Sequence, residues 1–169
     1  VFDLDRQRCA SFAAQMRIET GFDVIAVDEL AKATLASQAI VTCTSSRKPF
    51  LRRQQVAPGT FIAAVGADNA DKQELHADLM QHSKLVVDLI DQCAEMGELH
   101  HALEAGVMTR ADVVAELSQI VTRTEKLDLN ADDIVIFDST GSAIQDVAAA
   151  GIIYERAKAL GYCLTMQFA

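Results

Sequence analysis

The chain has 169 residues, half of them apolar and only 5% aromatic, and a formal net charge of -9. That length suits one domain with a sizeable core, and the alanine-rich, aromatic-poor composition suits helices on a sheet better than a β-sandwich. The negative balance, with no dense Lys/Arg cluster to reverse it locally, argues against a nucleic-acid partner. No apolar run approaches the roughly 20 residues that span a bilayer, and no basic stretch leads into an apolar one at the start. Cys9, Cys43, Cys93 and Cys163 are widely spaced and form no C-x-x-C pair. They read as reduced core residues of a cytoplasmic protein.

In chain order, Val1-Phe2-Asp3-Leu4-Asp5 reads as a buried strand already under way, so the chain is expected to be cut at its N-terminus. Residues 6–20 carry Cys9, Phe12, Ala13 and Met16 at helical spacing, and Gly21 ends that helix. A β-prone run follows at 22–27, then Asp28 as N-cap of a helix reaching about Ser37. Residues 39–44 are a near-continuous apolar strand of the doubly buried, parallel kind, and 45–49 a loop. Pro58-Gly59 marks a turn before a strand at 60–65 closed by Gly66. A helix at 72–81, a strand at 84–88, and helices at 90–105 and 110–121 come next, the last capped by Thr109. After a polar loop at 122–133, a strand at 134–138 leads to a long helix at 143–160 that stops at Gly161. Short buried strands alternating with helices predict parallel βαβ units, hence an α/β, doubly wound sheet.

In such sheets ligands collect beyond the carboxyl ends of the strands. A carboxylate at Asp3 can accept hydrogen bonds from both ribose hydroxyls of an adenine nucleotide, although a solvated Asp at a helix start is as common. Thr44-Ser45-Ser46 offers hydroxyls suited to sugar or nicotinamide contacts, or merely a loop cap. Val65-Gly66-Ala67-Asp68 leads through a glycine, which permits close backbone approach, to a carboxylate able to relay a proton; the bland reading is a cap for the next helix. Asp138-Ser139-Thr140-Gly141 brings a hydroxyl and a backbone amide near a ligand, or caps a helix. His100 and His101 are adjacent on a helix and point apart, so a metal site is not expected. No G-x-S-x-G elbow is present.

Together these endings resemble the ornithine cyclodeaminase and mu-crystallin family along nearly the whole chain. The matching pieces are Ile40-Val41-Thr42-Cys43-Thr44-Ser45-Ser46 with Pro49, Pro58-Gly59-Thr60 through Asp68, Lys72 and Glu74-Leu75, Val86-Val87-Asp88 leading to Gly97-Glu98-Leu99, and Phe137-Asp138-Ser139-Thr140-Gly141 continuing into Ile144-Gln145-Asp146-Val147-Ala148. The resemblance implies a Rossmann-like domain over residues 1–169 that binds NAD or NADP. It implies an oxidoreductase or deaminating cyclase acting on a small amino or imino acid, of ornithine cyclodeaminase, alanine dehydrogenase or ketimine reductase type. The alternative it carries is a non-catalytic, mu-crystallin-like binding protein. By the same resemblance Asp68 is the catalytic aspartate, Asp3 holds the adenosine ribose, and Thr44, Ile62, Ala63, Ala64, Val65, Lys72 and Ser139 line the cofactor.

Two departures qualify this. Cyclodeaminases carry Asp-Cys-Pro-Gly-Lys-Thr-Glu where this chain has Asp68-Asn69-Ala70-Asp71-Lys72-Gln73-Glu74, which speaks against ornithine specificity. By the resemblance, the first strand of the sheet, its glycine-rich diphosphate loop and the N-terminal substrate and dimerisation region are expected to lie before Val1, and the neighbours of that central strand are expected to have open edges. The last 25 or so residues are expected to pack toward that missing region. Asp3 favours NAD, while Arg6 and Arg8 nearby can accommodate a 2'-phosphate.

Overall fold

A computed structural model describes residues 1–124, 126–162, 164 and 166. The first helix, α1 (Arg6–Thr20), starts where the Asp5 carboxylate accepts from the Gln7 and Arg8 amides and ends at Gly21 in a left-handed conformation. It buries only Cys9 and Ala13. The expected strands at 1–5 and 22–27 are not part of a sheet. They are extended segments tied to each other, with Val1 N donating to Ile25 O at 2.7 Å and Val27 N to Val1 O at 2.9 Å. The next helix, α2 (Leu30–Leu35), is preceded by Glu29 with no side-chain cap; Asp28, expected there, instead faces Arg6 at 3.6 Å.

The main sheet is parallel throughout, as the βαβ pattern predicted. Its strands are β1 (Ala39–Thr42), β3 (Phe61–Ala64), β5 (Lys84–Val87), β6 (Val113–Glu116) and β7 (Val135–Asp138), in the order β1-β3-β7-β5-β6. A second, two-stranded sheet pairs β2 (Arg47–Leu51) with β4 (Gln73–Leu75). Three of these strands correct the sequence reading. Residues 45–49 looked like loop because of Lys48 and Pro49, but an edge pairing with an irregular register tolerates a residue that cannot donate. Residues 72–75 start no helix: the amides of Glu74 and Leu75 are taken by Glu98, and α3 (Ala77–Gln81) begins only after them. Residues 113–116 follow a short 3-10 turn, Arg110–Asp112, and the β-branched pair Val113 and Val114 joins the sheet rather than a helix.

The expected helix at 90–105 is two, α4 (Ile90–Met96) and α5 (Glu98–Glu104), broken at Gly97. A Cβ there would lie 2.6 Å from Asp138 Oδ2. The short α6 (Leu117–Val121) follows β6, and α7 (Ala143–Leu160) has the expected bounds but buries no residue. The core lies between the sheet and α3–α5, around Leu51, Ile62, Leu75, Leu79, Leu85 and Ile136. Of the cysteines expected inside, Cys9 and Cys93 are buried and Cys43 is exposed at the end of β1; Cys163 lies outside the described residues.

The turn before β3 is fixed by Gly59, at φ +75° with its Cα facing the Ala131 carbonyl so closely that a Cβ would sit 2.5 Å from that oxygen. Gly106 has a similar φ, +67°, but open space around it. Gly59→Ala should therefore cost more than the roughly 1–2 kcal/mol of left-handed strain that Gly106→Ala costs. Urea midpoints of the two variants measure this, and equal losses would remove the contact with Ala131 as a constraint.

Candidate functional site at the carboxyl ends of the strands

Because Thr42 pairs with Ala64, Ala64 with Asp138 and Asp138 with Val87, the four strands β1, β3, β7 and β5 end level with one another. The segments leaving them carry Thr44, Val65 to Asp68, Ser139 and Asp88 in one row. Direct bonds tie the row together: Val65 N donates to Thr42 O at 2.9 Å and Ser139 N to Ala64 O at 3.0 Å.

Asp68 is exposed and caps no helix, since the chain turns through 69–72 into β4. Its Oδ1 lies 2.8 Å from Lys72 Nζ and accepts from Asn69 Nδ2 at 2.9 Å. The hydrogen bond from the Lys72 ammonium is the main reason its carboxyl is held below the ordinary carboxylate range. Asp68 is thus ionised at neutral pH. Lys72→Met should raise its pKa toward the ordinary value, read by carboxylate NMR titration; an unmoved titration would remove the ion pair as the cause. Lys72 is itself fixed by its carbonyl, which lies 2.8 Å from His101 Nε2.

Of the other residues singled out from the sequence, Thr44 is exposed, Ser139 half-buried with its hydroxyl donating to Asp88 Oδ2 at 3.1 Å, and Val65 exposed. Ile62 and Ala64 face the core with no exposure, and Ala63 is half-buried. Asp3 stands apart from the row, at the start of α1. Its Oδ1 accepts from Asp5 N at 2.8 Å, and it borders a cavity of about 450 Å³ lined also by Phe2, Arg6, Ala26, Val27 and Asp28.

Sequence reasoning did not anticipate a set of buried carboxylates beneath the row. Asp88 Oδ2 accepts from the Thr140 and Gly141 amides, both at 2.9 Å, which shapes the 139–141 turn; Asp138 caps nothing ahead of α7. Glu98 accepts from the amides of Glu74 and Leu75 at 2.7 and 3.1 Å, and burial pushes its carboxyl up to about 8. Burial likewise pushes Asp138 up to about 7 while its Oδ2 accepts from Leu99 N at 2.9 Å. The Cys93 thiol, driven up by burial and by Asp138 and Asp88, stays protonated and donates to Asp88 Oδ1 at 3.0 Å. The available signal was an acid closing an apolar strand, in Val87-Asp88 and Phe137-Asp138, where ordinary burial rules place none unpaired.

Among the described residues His100, His101 and Glu104 approach one another within 4.8 Å, but His101 Nε2 bonds to the Lys72 carbonyl and His100 Nδ1 lies 3.2 Å from Ala94 O. No helix among the described residues is long and apolar enough to cross a membrane.

A parallel sheet ending in a row of hydroxyls, a glycine and an ion-paired carboxylate defines a dinucleotide-fold domain of the doubly wound class. The chain belongs to the ornithine cyclodeaminase/mu-crystallin family, whose model matches residues 1–161. It is 42% identical to an alanine dehydrogenase of Archaeoglobus fulgidus over 118 residues, 70% of this chain and 37% of that protein. Among solved structures it resembles an archaeal alanine dehydrogenase dimer with bound NAD, with a TM-score of 0.91 at 32% identity, over 99% of this chain and 52% of that one. It also resembles the Thermococcus litoralis Δ1-pyrroline-2-carboxylate reductase in complex with NADH and L-proline, with a TM-score of 0.90 at 30% identity, over 95% of this chain and 50% of that one. The chain thus spans about half or less of the length of these relatives.

Proposed function

We propose that this chain supplies the ribose-, nicotinamide- and proton-handling side of an NAD-dependent enzyme acting on a small amino or imino acid. The observation that carries the reading is the row Thr44, Asp68 with Lys72, and Ser139 at the level ends of β1, β3 and β7. It stands in a chain 42% identical to an alanine dehydrogenase. Bound there, a nicotinamide ring would supply the two-electron acceptor or donor for the carbon that bears the substrate nitrogen.

The residues fit that group. Asp3 has one carboxylate oxygen engaged by Asp5 N and none of the described residues on the other, beside a cavity of about 450 Å³, so it can accept from a ribose hydroxyl. Asp5 occupies the start of α1 with its carboxylate, and Arg6 faces Asp28, an arrangement that repels a 2'-phosphate and supports NAD over NADP. Thr44 and Ser139 offer hydroxyls, and Val65 the exposed wall between them. The side chains of Ile62 and Ala64 support that wall from within the core, and the Ala63 backbone continues it. Asp68, held ionised by Lys72, takes the proton released as an amine is oxidised.

The loss of Pro-Gly from the Asp68–Glu74 stretch supports a dehydrogenase or imine-reductase type over an ornithine cyclodeaminase. The diphosphate loop and the grip on the substrate carboxylate are assigned to no residue of this chain and belong, on this reading, to other parts of a homodimeric, cytoplasmic enzyme. α7, with no buried residue, is then the surface that meets them.

The test is NADH oxidation by the complete protein against a panel of cyclic imines and of 2-oxo acids with ammonia. Turnover of at least one is expected. Tight NADH binding with no turnover of any would favour a mu-crystallin-like binding protein instead.

A further inference from the structure

Glu74 is fully buried, yet no part of the proposed chemistry uses it. Its two carboxylate oxygens are divided between two different loops: Oε1 accepts from Thr44 N at 2.6 Å and Oε2 from Gly66 N at 3.1 Å. Those amides leave the ends of β1 and β3, and they stand immediately before or within the segments that carry Thr44 and Asp68. The approach is so close that a Cβ on Gly66 would fall 2.5 Å from the Glu74 carboxylate. Glu74 is itself held from behind, because its own amide and that of Leu75 donate to Glu98, and the amide of Leu99, the next residue of α5, donates to Asp138 at the end of β7. A continuous chain of carboxyl-to-amide bonds therefore runs from the end of β7, beside Ser139, through α5 and β4 to the ends of β1 and β3.

We propose that Glu74 is a positioning residue: by accepting the Thr44 and Gly66 amides with one carboxylate, it sets the spacing between the cofactor-lining Thr44 and the proton-handling Asp68. This rests on the functional reading above for what the two loops do, but the clamp itself is a separate claim. Only a carboxylate serves, since an amide at the same place offers one acceptor and turns an N–H toward a second N–H. A displacement of about 1 Å at a reacting group can cost about 100-fold in rate.

The experiment uses Glu74→Gln in the complete protein. Amide hydrogen exchange at Thr44 and Gly66 reads the clamp without any activity and should quicken by at least roughly tenfold, as one lost hydrogen bond of about 1.4 kcal/mol implies. NADH affinity should weaken about tenfold and kcat fall roughly 10- to 100-fold. Leu79→Ala, in the core at α3, should lower Tm while leaving both kinetic quantities unchanged, which separates positioning from general loss of stability. If Glu74→Gln does not fold, Gly66→Ala, which presses a methyl on the same carboxylate, should give the same kinetic pattern, and Glu74→Asp should restore part of the protection if it still reaches one amide.

Unchanged exchange at both amides in Glu74→Gln overturns the clamp. Faster exchange with unchanged NADH affinity and kcat overturns its role in the site. If the unaltered protein neither binds nor oxidises NADH, the functional reading fails, while the exchange result still decides for or against the clamp.

Discussion

Asp68→Asn in the complete protein should lower kcat by roughly two to four orders of magnitude, the usual contribution of a positioned acid or base. The affinity for NADH should stay within about threefold, because the change removes a proton acceptor and leaves the shape of the loop. The neighbour that matters is Lys72, 2.8 Å away, whose ammonium keeps the carboxylate charged. An Asn cannot accept the proton at all, so raising the pH should not restore the rate. A kcat within a few-fold of the original would remove Asp68 from the proton-handling role and leave the exposed end of β3 as a cofactor wall only.

The second large effect concerns stability and pH. Glu98 is fully buried, and its carboxyl is pushed from the ordinary 4.5 up to about 8, chiefly by burial, against the pull of two amide donors. A group whose pKa is higher folded than unfolded binds its proton more tightly in the folded state. Its contribution is complete below about pH 4.5 and is lost as the pH rises toward 8. At about 1.4 kcal/mol per unit the window is on the order of 5 kcal/mol. Denaturant unfolding between pH 5 and pH 8.5 should show the protein losing stability as the pH rises. In Glu98→Gln, which cannot ionise, the fall should be much shallower, with the part due to Asp138 remaining, since burial raises that carboxyl in the same direction. At low pH the variant should start about 1–3 kcal/mol less stable, because one of the amides of Glu74 and Leu75 loses its acceptor. Parallel curves for the two proteins would show that Glu98 keeps its ordinary ionisation when folded.

The parts of the fold legible in the sequence are those governed by local chemistry. Gly21 ends α1 and Gly161 ends α7, as caps should, whereas Asp5, read as part of a strand, is the N-cap of α1. The apolar runs around Ile40, Ile62, Val86 and Ile136 announced the parallel strands, but residues 39–44 are not buried on both faces as expected: β1 buries Ile40 and Thr42 and leaves Val41 exposed. What was not legible depends on partners distant in the chain. β4 is a strand because Glu98 and the β2 edge take its amides, and nothing in Gln73-Glu74-Leu75 alone says so. β6 has a helix-compatible spacing that pairing with β5 overrides. The helix break at Gly97 follows from Asp138, 41 positions later in the chain, pressing on that glycine.

The candidate site divides in the same way. Thr44, Asp68 and Ser139 follow the ends of β1, β3 and β7, where a parallel sheet gathers ligands, so spacing and resemblance together could single them out, whereas Asp3, outside any strand, and Lys72, just ahead of β4, were reached through the resemblance. The acids that shape the site from below were hidden, because their bonds to backbone amides of distant segments leave no pattern in side-chain spacing. Glu74 was visible only as one letter of a motif, and its two bonds need the fold to be seen.

The central claim is that a nicotinamide dinucleotide lies across this row with Asp68 beside its reactive end. A crystal structure of the complete protein with NAD tests it most directly. The account predicts the adenosine ribose hydroxyls on Asp3 and the nicotinamide over the ends of β1, β3 and β7, with Thr44, Val65 and Ser139 around it and Asp68 facing the substrate side. A dinucleotide bound with its ribose away from Asp3 and its nicotinamide away from Asp68 would contradict it.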